Sequence, residues 1–304
     1  MASYRGIFPI VPTAFNDSGD LDLESQRRAA DYLIDAGAHG LCLLANYSEQ
    51  FSLSDSERDR IIDVVMDHVA GRVPIIVTTS HFSSRVAAER SKRAQATGAS
   101  MVMVMPPYHG ATLRVAEAGI QDAFTTIAEA IDIPILVQDA PMAGTLMSAE
   151  FLAGLARSIP NVSYFKLEAG VAADKIRRLI ALGGDAVLGP FDGEESITLI
   201  PDLEAGASGT MPGGTTVDVL RETWDLWHEG RHHEAVAAYH RALPVITYEN
   251  KLCGLMATKA LMVEGVILAS DAPRHPYPPL SPSVRAGLIA MARRLDLLVL
   301  RWGR

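Results

Sequence analysis

One lysine of this chain stands in a context typical of a reactive amine. Lys166 lies inside the run VSYFKLE, whose composition is typical of a β-strand. Strand alternation places Lys166 and Glu168 on one face and the intervening apolar side chains on the other, so the lysine points inward. Burying an ammonium is costly unless it is paired or deprotonated, and burial lowers the amine pKa. The pattern therefore predicts a nucleophile that attacks a carbonyl carbon.

A structural interpretation of Lys166 stays open beside the catalytic one. The same residue could form an ion pair with Glu168 or with an aspartate inside the fold. The other lysines fall in helical, partly polar stretches, and they are Lys92, Lys175, Lys251 and Lys259. This contrast favours the catalytic interpretation.

The elements that must position Lys166 alternate along the chain between strand-length apolar runs and amphipathic helical stretches. The predicted strands are residues 7–12, 40–45, 74–79, 101–105, 135–138, 162–167, 186–189 and 209–211. The predicted helices include residues 23–36, 54–69, 84–97, 115–131, 148–159, 171–182 and 194–205. Further helices are predicted at residues 234–243, 252–263 and 283–298.

Eight strand–helix repeats predict an α/β fold, a (β/α)8 TIM barrel over residues 1–228, with a C-terminal helical appendage over residues 229–304. A doubly wound open sheet is the alternative. It is disfavoured because the turn after the first strand, VPTAFNDSGD, is not a glycine-rich phosphate turn.

Polar side chains interrupt the apolar runs at the carboxyl ends of the predicted strands, where active sites of such barrels lie. Besides Lys166 and Glu168, the candidates are Asn46, Tyr47, Ser48, His81, Tyr108, His109, Gln138, Asp139, Asp192 and Thr210. Tyr47 and Tyr108 could instead be packing residues. The run Asp192-Gly-Glu-Glu fits an acidic helix start better than a metal site. The histidines of one later helical stretch fit a solvated helix face, and no metal is expected; they are His228, His232, His233 and His240.

Composition limits the classes of partner. The net charge of −9 and pI near 5.5 argue against a nucleic-acid or anionic-membrane partner. Only two cysteines occur, both in apolar surroundings, which favours a reducing compartment such as the cytoplasm. No signal peptide and no run of 18 apolar residues is visible in the sequence.

Several motifs make the chain similar to a known family over essentially its whole length. They are GIFPIVPTAFNDSGDLD, GLCLLANYSEQFSLSDSER, GRVPIIVTTSH, GASMVMVMPPYHG, IPILVQDAP and YFKLEAG. The chain resembles the dihydrodipicolinate synthase and N-acetylneuraminate lyase family of class I aldolases and dehydratases. The resemblance implies that Lys166 is the Schiff-base lysine, that the substrate is a small 2-keto acid, and that the protein is a homodimer or homotetramer.

Departures from the family pattern refine this expectation. The family's Gly-Thr-Thr-Gly-Glu is here Ala45-Asn46-Tyr47-Ser48-Glu49, and its strand-five tyrosine is Gln138. An amide is no base at neutral pH, so Gln138 disfavours aldol cleavage by the usual route. The motif set is most similar to the dehydratases of the family that act on 2-keto-3-deoxy sugar acids. An aldolase of the same family and a non-catalytic 2-keto-acid sensor remain alternatives.

The resemblance also implies roles for the candidates. Asn46, Tyr47 and Ser48 would hold the substrate carboxylate, with further binding residues at His81, Asp139, Asp192 and Thr210. Tyr108, His109 and Glu168 would carry protons, and Gln138 would orient a substrate hydroxyl. No cofactor is expected, because the imine itself accepts the electrons.

Overall fold

The computed structural model describes residues 4–108, 115–168 and 171–304. The candidate proton carrier His109 lies outside these residues. Within them, eight short strands alternate with helices in the order that a (β/α)8 barrel requires. The strands are β1 Gly6–Ile7, β2 Leu41–Leu43, β3 Ile75–Thr78, β4 Met101–Val104, β5 Ile135–Asp139, β6 Val162–Leu167, β7 Gly189–Asp192 and β8 Gly209–Thr210.

Helices follow each strand and continue beyond the last one. They are α1 Leu23–Asp35, α2 Asp55–Val69, α3 Ser84–Ala96, α4 Glu117–Ala128, α5 Ala149–Ser158, α6 Ala172–Gly183, α7 Leu199–Glu204, α8 Val217–His228, α9 His232–Tyr248, α10 Met256–Glu264 and α11 Pro282–Arg294. At the start of α2, Ser54 and Glu57 form a reciprocal capping box that satisfies two otherwise unpaired backbone N–H groups. No helix of the described residues is long and apolar enough to cross a membrane.

The chain divides into two compact units, and the first contains Ile75–Met211 with residues 4–5. Its strands β3 to β8 lie side by side in sequence order, and every neighbouring pair is parallel. Val77, Met103, Val137 and Phe165 are fully buried, as expected for strands covered on both faces. The carboxyl ends of these strands therefore form one edge.

The second unit contains Gly6–Pro74 and Pro212–Arg304. In it Ile10 and Cys42 form a parallel bridge beside β1 and β2. Helix α8 packs on α9, and α10 packs on α11. The predicted domain boundary between residues 228 and 229 falls inside this unit, between α8 and α9, and as a domain boundary it stays a prediction.

Several predicted elements differ in their bounds from those observed. The first strand is Gly6–Ile7 rather than residues 7–12, and the helix predicted at residues 234–243 spans His232–Tyr248. The seventh strand is not residues 186–189 but Gly189–Asp192, because a 3-10 turn at Gly184–Ala186 follows α6 and Leu188 is 39% exposed. The helix predicted from residue 194 becomes regular only at Leu199, since residues 195 and 196 have positive φ. The helix predicted from residue 252 begins at Met256, after a π-helical turn.

Candidate active site

Lys166 lies near the carboxyl end of β6, in the first unit. The sheet register pairs it with Gln138 on β5 and with Phe191 on β7. Its side chain is 4% exposed, so the amine is buried as the strand alternation predicts. The Nζ atom donates to Glu168 Oε1 at 2.5 Å and to the Gly193 carbonyl oxygen at 3.0 Å. The ion pair that the sequence left open as a structural explanation is therefore present.

Glu168 connects Lys166 to the neighbouring strand. Its Oε1 atom also accepts a hydrogen bond from Gln138 Nε2 at 2.7 Å. The Glu168 side chain is 15% exposed, more than the lysine it pairs with. One carboxylate oxygen thus receives two donors at the open end of the cluster, where a proton can pass between amine and carboxylate.

Gln138 has a buried oxygen that accepts no hydrogen bond from the described residues. The residue is 1% exposed, and its amide nitrogen is already used by Glu168. A buried acceptor without a donor costs free energy, so it is satisfied in most proteins by water or a ligand. The amide oxygen of Gln138 is therefore suited to receive a hydroxyl group beside Lys166.

Gly193 lets the lysine and the glutamate approach the loop after β7. A Cβ atom at this position would lie 2.7 Å from Glu168 Cγ and 2.8 Å from Lys166 Cγ. Such contacts are closer than van der Waals contact, so a side chain here would displace both catalytic candidates. The sequence analysis did not single out Gly193, because its role depends on neighbours that are remote in the chain.

Asp192 and Thr210 lie at the ends of β7 and β8 and bind each other. Thr210 Oγ1 donates to Asp192 Oδ2 at 2.6 Å, and the Glu194 N–H donates to Asp192 Oδ1 at 3.1 Å. Burial raises the pKa of Asp192, while these hydrogen bonds and the charge of Lys166 oppose the rise. Both side chains are fully buried, and their predicted role in substrate binding stays a prediction.

Asp139 has protein partners that point to another role. Its Oδ1 accepts from the Met147 N–H at 3.1 Å, and its Oδ2 forms an ion pair with Lys175 on α6. Because Asp139 follows Gln138 in β5, the strand pleat directs the two side chains to opposite faces. These contacts fasten the segment after β5, and the predicted role of Asp139 in substrate binding stays a prediction.

His81 and Tyr108 lie beyond the carboxyl ends of β3 and β4. His81 Nδ1 accepts from the Ser83 N–H at 3.0 Å, and the ring lines a small crevice with Val104 of β4 and Phe124 of α4. That crevice lies on the helix side of the strand, which gives no support to substrate binding by His81. Tyr108 is half-buried beyond the end of β4.

The turn Asn46–Ser48 follows β2 in the second unit as one turn of 3-10 helix. The Ser48 hydroxyl donates to the Val11 carbonyl oxygen at 2.6 Å and accepts from the Ala45 N–H at 3.2 Å. Its single proton is therefore already used, so the hydroxyl cannot also donate to a carboxylate. The Ser48 N–H is used within the turn, since it donates to the Ala45 carbonyl oxygen at 2.9 Å. The carboxylate role predicted for Asn46 and Tyr47 stays a prediction.

The sequence analysis missed a second buried lysine. Lys259 on α10, which the pattern placed in a partly polar helix, is 1% exposed and forms an ion pair with the fully buried Glu49. Its flanking residues in MATKALMVE are mostly apolar, which is the signal that could have indicated burial. Within the described part of the chain, no three His, Cys, Asp or Glu side chains are grouped so that they could hold a metal ion.

Comparison with known proteins places this chain in a family. Residues 3–294 match the dihydrodipicolinate synthetase family. A relative from Azospirillum brasilense, L-2-keto-3-deoxyarabonate dehydratase, is 58% identical over 98% of this chain and 97% of its own length. A 4-hydroxy-tetrahydrodipicolinate synthase from a Synechococcus strain is 31% identical over 97% of this chain and 95% of its own.

The fold comparison agrees with the sequence comparison. The Escherichia coli K12 prophage protein YagE, solved in complex with pyruvate, superposes with a TM-score of 0.90 at 25% identity, covering 97% of this chain and 100% of that one. The predicted (β/α)8 barrel with C-terminal helices is thereby confirmed. The chain belongs to the dihydrodipicolinate synthetase family.

Proposed function

We propose that this protein is a lyase that forms a Schiff base and dehydrates L-2-keto-3-deoxyarabonate to 2,5-dioxopentanoate and water. The observation that carries the proposal is the cluster of Lys166, Glu168 and Gln138, in a chain that is 58% identical to the Azospirillum dehydratase. The same similarity suggests a place in the non-phosphorylated breakdown of L-arabinose. We further propose a cytoplasmic homodimer or homotetramer, as the family resemblance implies.

The reaction begins when Lys166 loses its proton to Glu168, with which it shares the 2.5 Å contact. The free amine attacks C2 of the keto acid, and loss of water from the carbinolamine gives an imine. The substrate carboxylate is held, on the family resemblance, by the turn Asn46–Ser48. The positive imine then acidifies the C3 proton, and its removal yields an enamine.

The enamine expels the C4 hydroxyl as water, which leaves an imine conjugated to a C3–C4 double bond. Loss of the C5 and C5-hydroxyl protons, with protonation at C3 and C4, converts this alkene to the C5 aldehyde. Hydrolysis of the imine frees Lys166. Glu168 is the proton carrier best supported by contacts, with Tyr108 and His109 as further candidates, and the imine supplies the electron sink without a metal or an organic cofactor.

Gln138 decides between dehydration and carbon–carbon cleavage. Its unused amide oxygen is placed to accept a substrate hydroxyl, but an amide cannot remove that hydroxyl's proton at neutral pH. The C4 oxygen therefore leaves as water instead of becoming the carbonyl oxygen of a cleaved aldehyde. Pyruvate with glycolaldehyde should accordingly give little condensation product.

The test is product analysis with purified protein and L-2-keto-3-deoxyarabonate, without added metal or nucleotide. A coupling semialdehyde dehydrogenase should report formation of 2,5-dioxopentanoate, and EDTA should leave the rate unchanged. Lys166→Ala protein is the matched control. Formation of pyruvate and glycolaldehyde would instead establish the aldolase alternative, and absence of any turnover would favour a sensor.

A further inference from the structure

A buried ionic network adjoins the Asn46–Ser48 turn, in the second unit. Glu49 is the next residue, and its backbone has left-handed angles, φ 56° and ψ 38°. Its side chain is fully buried, with Oε1 paired to Lys259 Nζ on α10. The other oxygen, Oε2, accepts from the Arg274 N–H at 2.8 Å. Both partners come from the C-terminal part of the chain.

The two cations are themselves fixed. Lys259 Nζ also donates to the Ala272 carbonyl oxygen at 3.0 Å and lies 4.5 Å from the centroid of the Phe15 ring. The Arg274 guanidinium lies 4.4 Å from the same centroid. Phe15 follows β1, and the face of its single aromatic ring attracts both cations.

Arg274 connects the network to α2 and to the 3-10 turn that precedes it. Its guanidinium donates to both carboxylate oxygens of Glu57, at 2.8 and 2.9 Å, and to the Ser52 carbonyl oxygen at 3.0 Å. Glu57 caps α2, and Ser52 ends a second 3-10 turn that starts at residue 50. Glu49 is thus the junction of two consecutive turns, held from one side by Lys259 and from the other by Arg274.

The backbone conformation of Glu49 has to be stabilised by its surroundings. A left-handed backbone is unfavourable for a residue other than glycine, and it persists only where the surroundings fix it. Here two hydrogen bonds to a buried carboxylate fix it. Because Glu49 directly follows Ser48, any change in its backbone angles would rotate the N–H groups of the preceding turn.

We propose that Glu49, fixed by Lys259 and Arg274, is the positioning residue that sets the geometry of the Asn46–Ser48 turn. Glu49 contacts no reacting atom, and its effect is on affinity for the substrate carboxylate. The inference rests on the proposed role of the turn in binding that carboxylate. It gives the C-terminal helices a function, because α10 and the segment after it supply both fixing residues.

The test is the variant Glu49→Gln, which has the same shape but offers one acceptor where two donors converge. Borohydride trapping of pyruvate on Lys166 measures carboxylate binding independently of dehydration. We expect the pyruvate concentration for half-maximal trapping to rise about tenfold or more, and the KM for the sugar acid to rise in parallel. The trapped fraction at saturation and kcat should fall less than about threefold, the pattern of lost ground-state binding.

Two further variants keep the test decisive. Arg241→Gln breaks an exposed ion pair with Glu222 in the same unit and should leave the half-saturating concentration unchanged. Arg274→Gln keeps the backbone N–H bond to Glu49 but removes the guanidinium contacts. We therefore expect the half-saturating pyruvate concentration to rise less, by about threefold. This variant decides the question if Glu49→Gln does not fold.

The outcomes separate the inference from the proposed function. Unchanged half-saturation in folded Glu49→Gln and Arg274→Gln proteins, with only a lower unfolding temperature, would overturn the positioning role. Failure of wild-type protein to trap pyruvate at any concentration would instead overturn the Schiff-base proposal on which it rests.

Discussion

Among the residues that the structure describes, two buried lysine–glutamate pairs occur, one in each compact unit, and they differ in what surrounds them. Lys166 and Glu168 have side chains that are 4% and 15% exposed, whereas Lys259 and Glu49 are 1% and 0% exposed. The first pair is adjacent to an amide oxygen of Gln138 that has no described donor. The second pair is enclosed, and both Glu49 oxygens are occupied.

The comparison teaches that burial alone does not identify a reactive lysine. Under the proposed function, the reactive amine is the one whose carboxylate partner is partly exposed and whose neighbour Gln138 has a buried acceptor without a described donor. Lys166 meets both conditions. Lys259 meets neither, because its amine is directed at Glu49 and the Ala272 carbonyl oxygen and packs against Phe15.

The largest expected effect is the loss of Lys166. Lys166→Ala should lower kcat by about 10⁴-fold or more, because the covalent route disappears with the nucleophile. Circular dichroism should show a folded protein. Lys259→Met is the matched variant. Its folded fraction should keep a kcat within about tenfold of wild type. It should unfold at a lower temperature, because Glu49 is left buried without its partner. Equal loss of kcat in the two folded variants would break the distinction between the pairs.

A smaller effect is expected for Glu168. Glu168→Gln keeps a hydrogen-bonding side chain of the same shape beside Lys166 but cannot take a proton. We expect kcat to fall by about 10²–10⁴-fold, the range for loss of a general acid–base group. Both amine activation and C3 proton removal should slow. Pre-steady-state trapping of the imine separates them, because the rate of imine formation reports the first step alone. A kcat within twofold of wild type would remove Glu168 from the proton path.

The smallest expected effect concerns the enclosed network and is a pH dependence. The hydrogen bonds from Arg274 hold the pKa of Glu57 at about 2 instead of 4.5. A carboxyl with a lowered folded-state pKa stabilises the protein above pH 4.5 and loses this contribution as the pH falls toward 2. Glu57→Gln should therefore lower the unfolding midpoint by about 2 °C at pH 7 and make its decline below pH 4.5 shallower.

If the unfolding midpoint declined below pH 4.5 in the same way in wild type and in Glu57→Gln, this ion pair would contribute nothing measurable to stability. The exposed pair of Arg178 and Glu150 provides the control. Glu150→Gln should shift the midpoint less than Glu57→Gln does, because a more exposed pair is screened more strongly by water and salt.

Much of the fold follows from local sequence signals. The alternation of VSYFKLE correctly placed β6 and the buried side of Lys166, and Ser54 with Glu57 correctly marked the start of α2. The seventh strand begins later than predicted because Ala186 ends a 3-10 turn and residues 187–188 lie before the strand. Pro190, which lacks an N–H group, lies inside the strand. Because proline is unfavourable inside a strand, a prediction from the local pattern leaves Pro190 out of the strand.

The candidate site depends more on contacts that are remote in sequence. The position of Asp139 after Gln138 does not reveal its ion-pair partner Lys175, which lies 36 residues away on α6. Lys259 looks like an ordinary helical residue until Glu49, 210 residues earlier, is placed beside it. Such pairs are decided by tertiary contacts, which periodicity does not encode.

The central claim is that Lys166, and not the equally buried Lys259, forms the imine. Incubation with pyruvate and borohydride, followed by digestion and mass spectrometry, tests it most directly. The account predicts one reduced pyruvate adduct per chain, on the peptide containing Lys166, and none on the peptide containing Lys259. An adduct on Lys259, or none on Lys166 at saturating pyruvate, would contradict it.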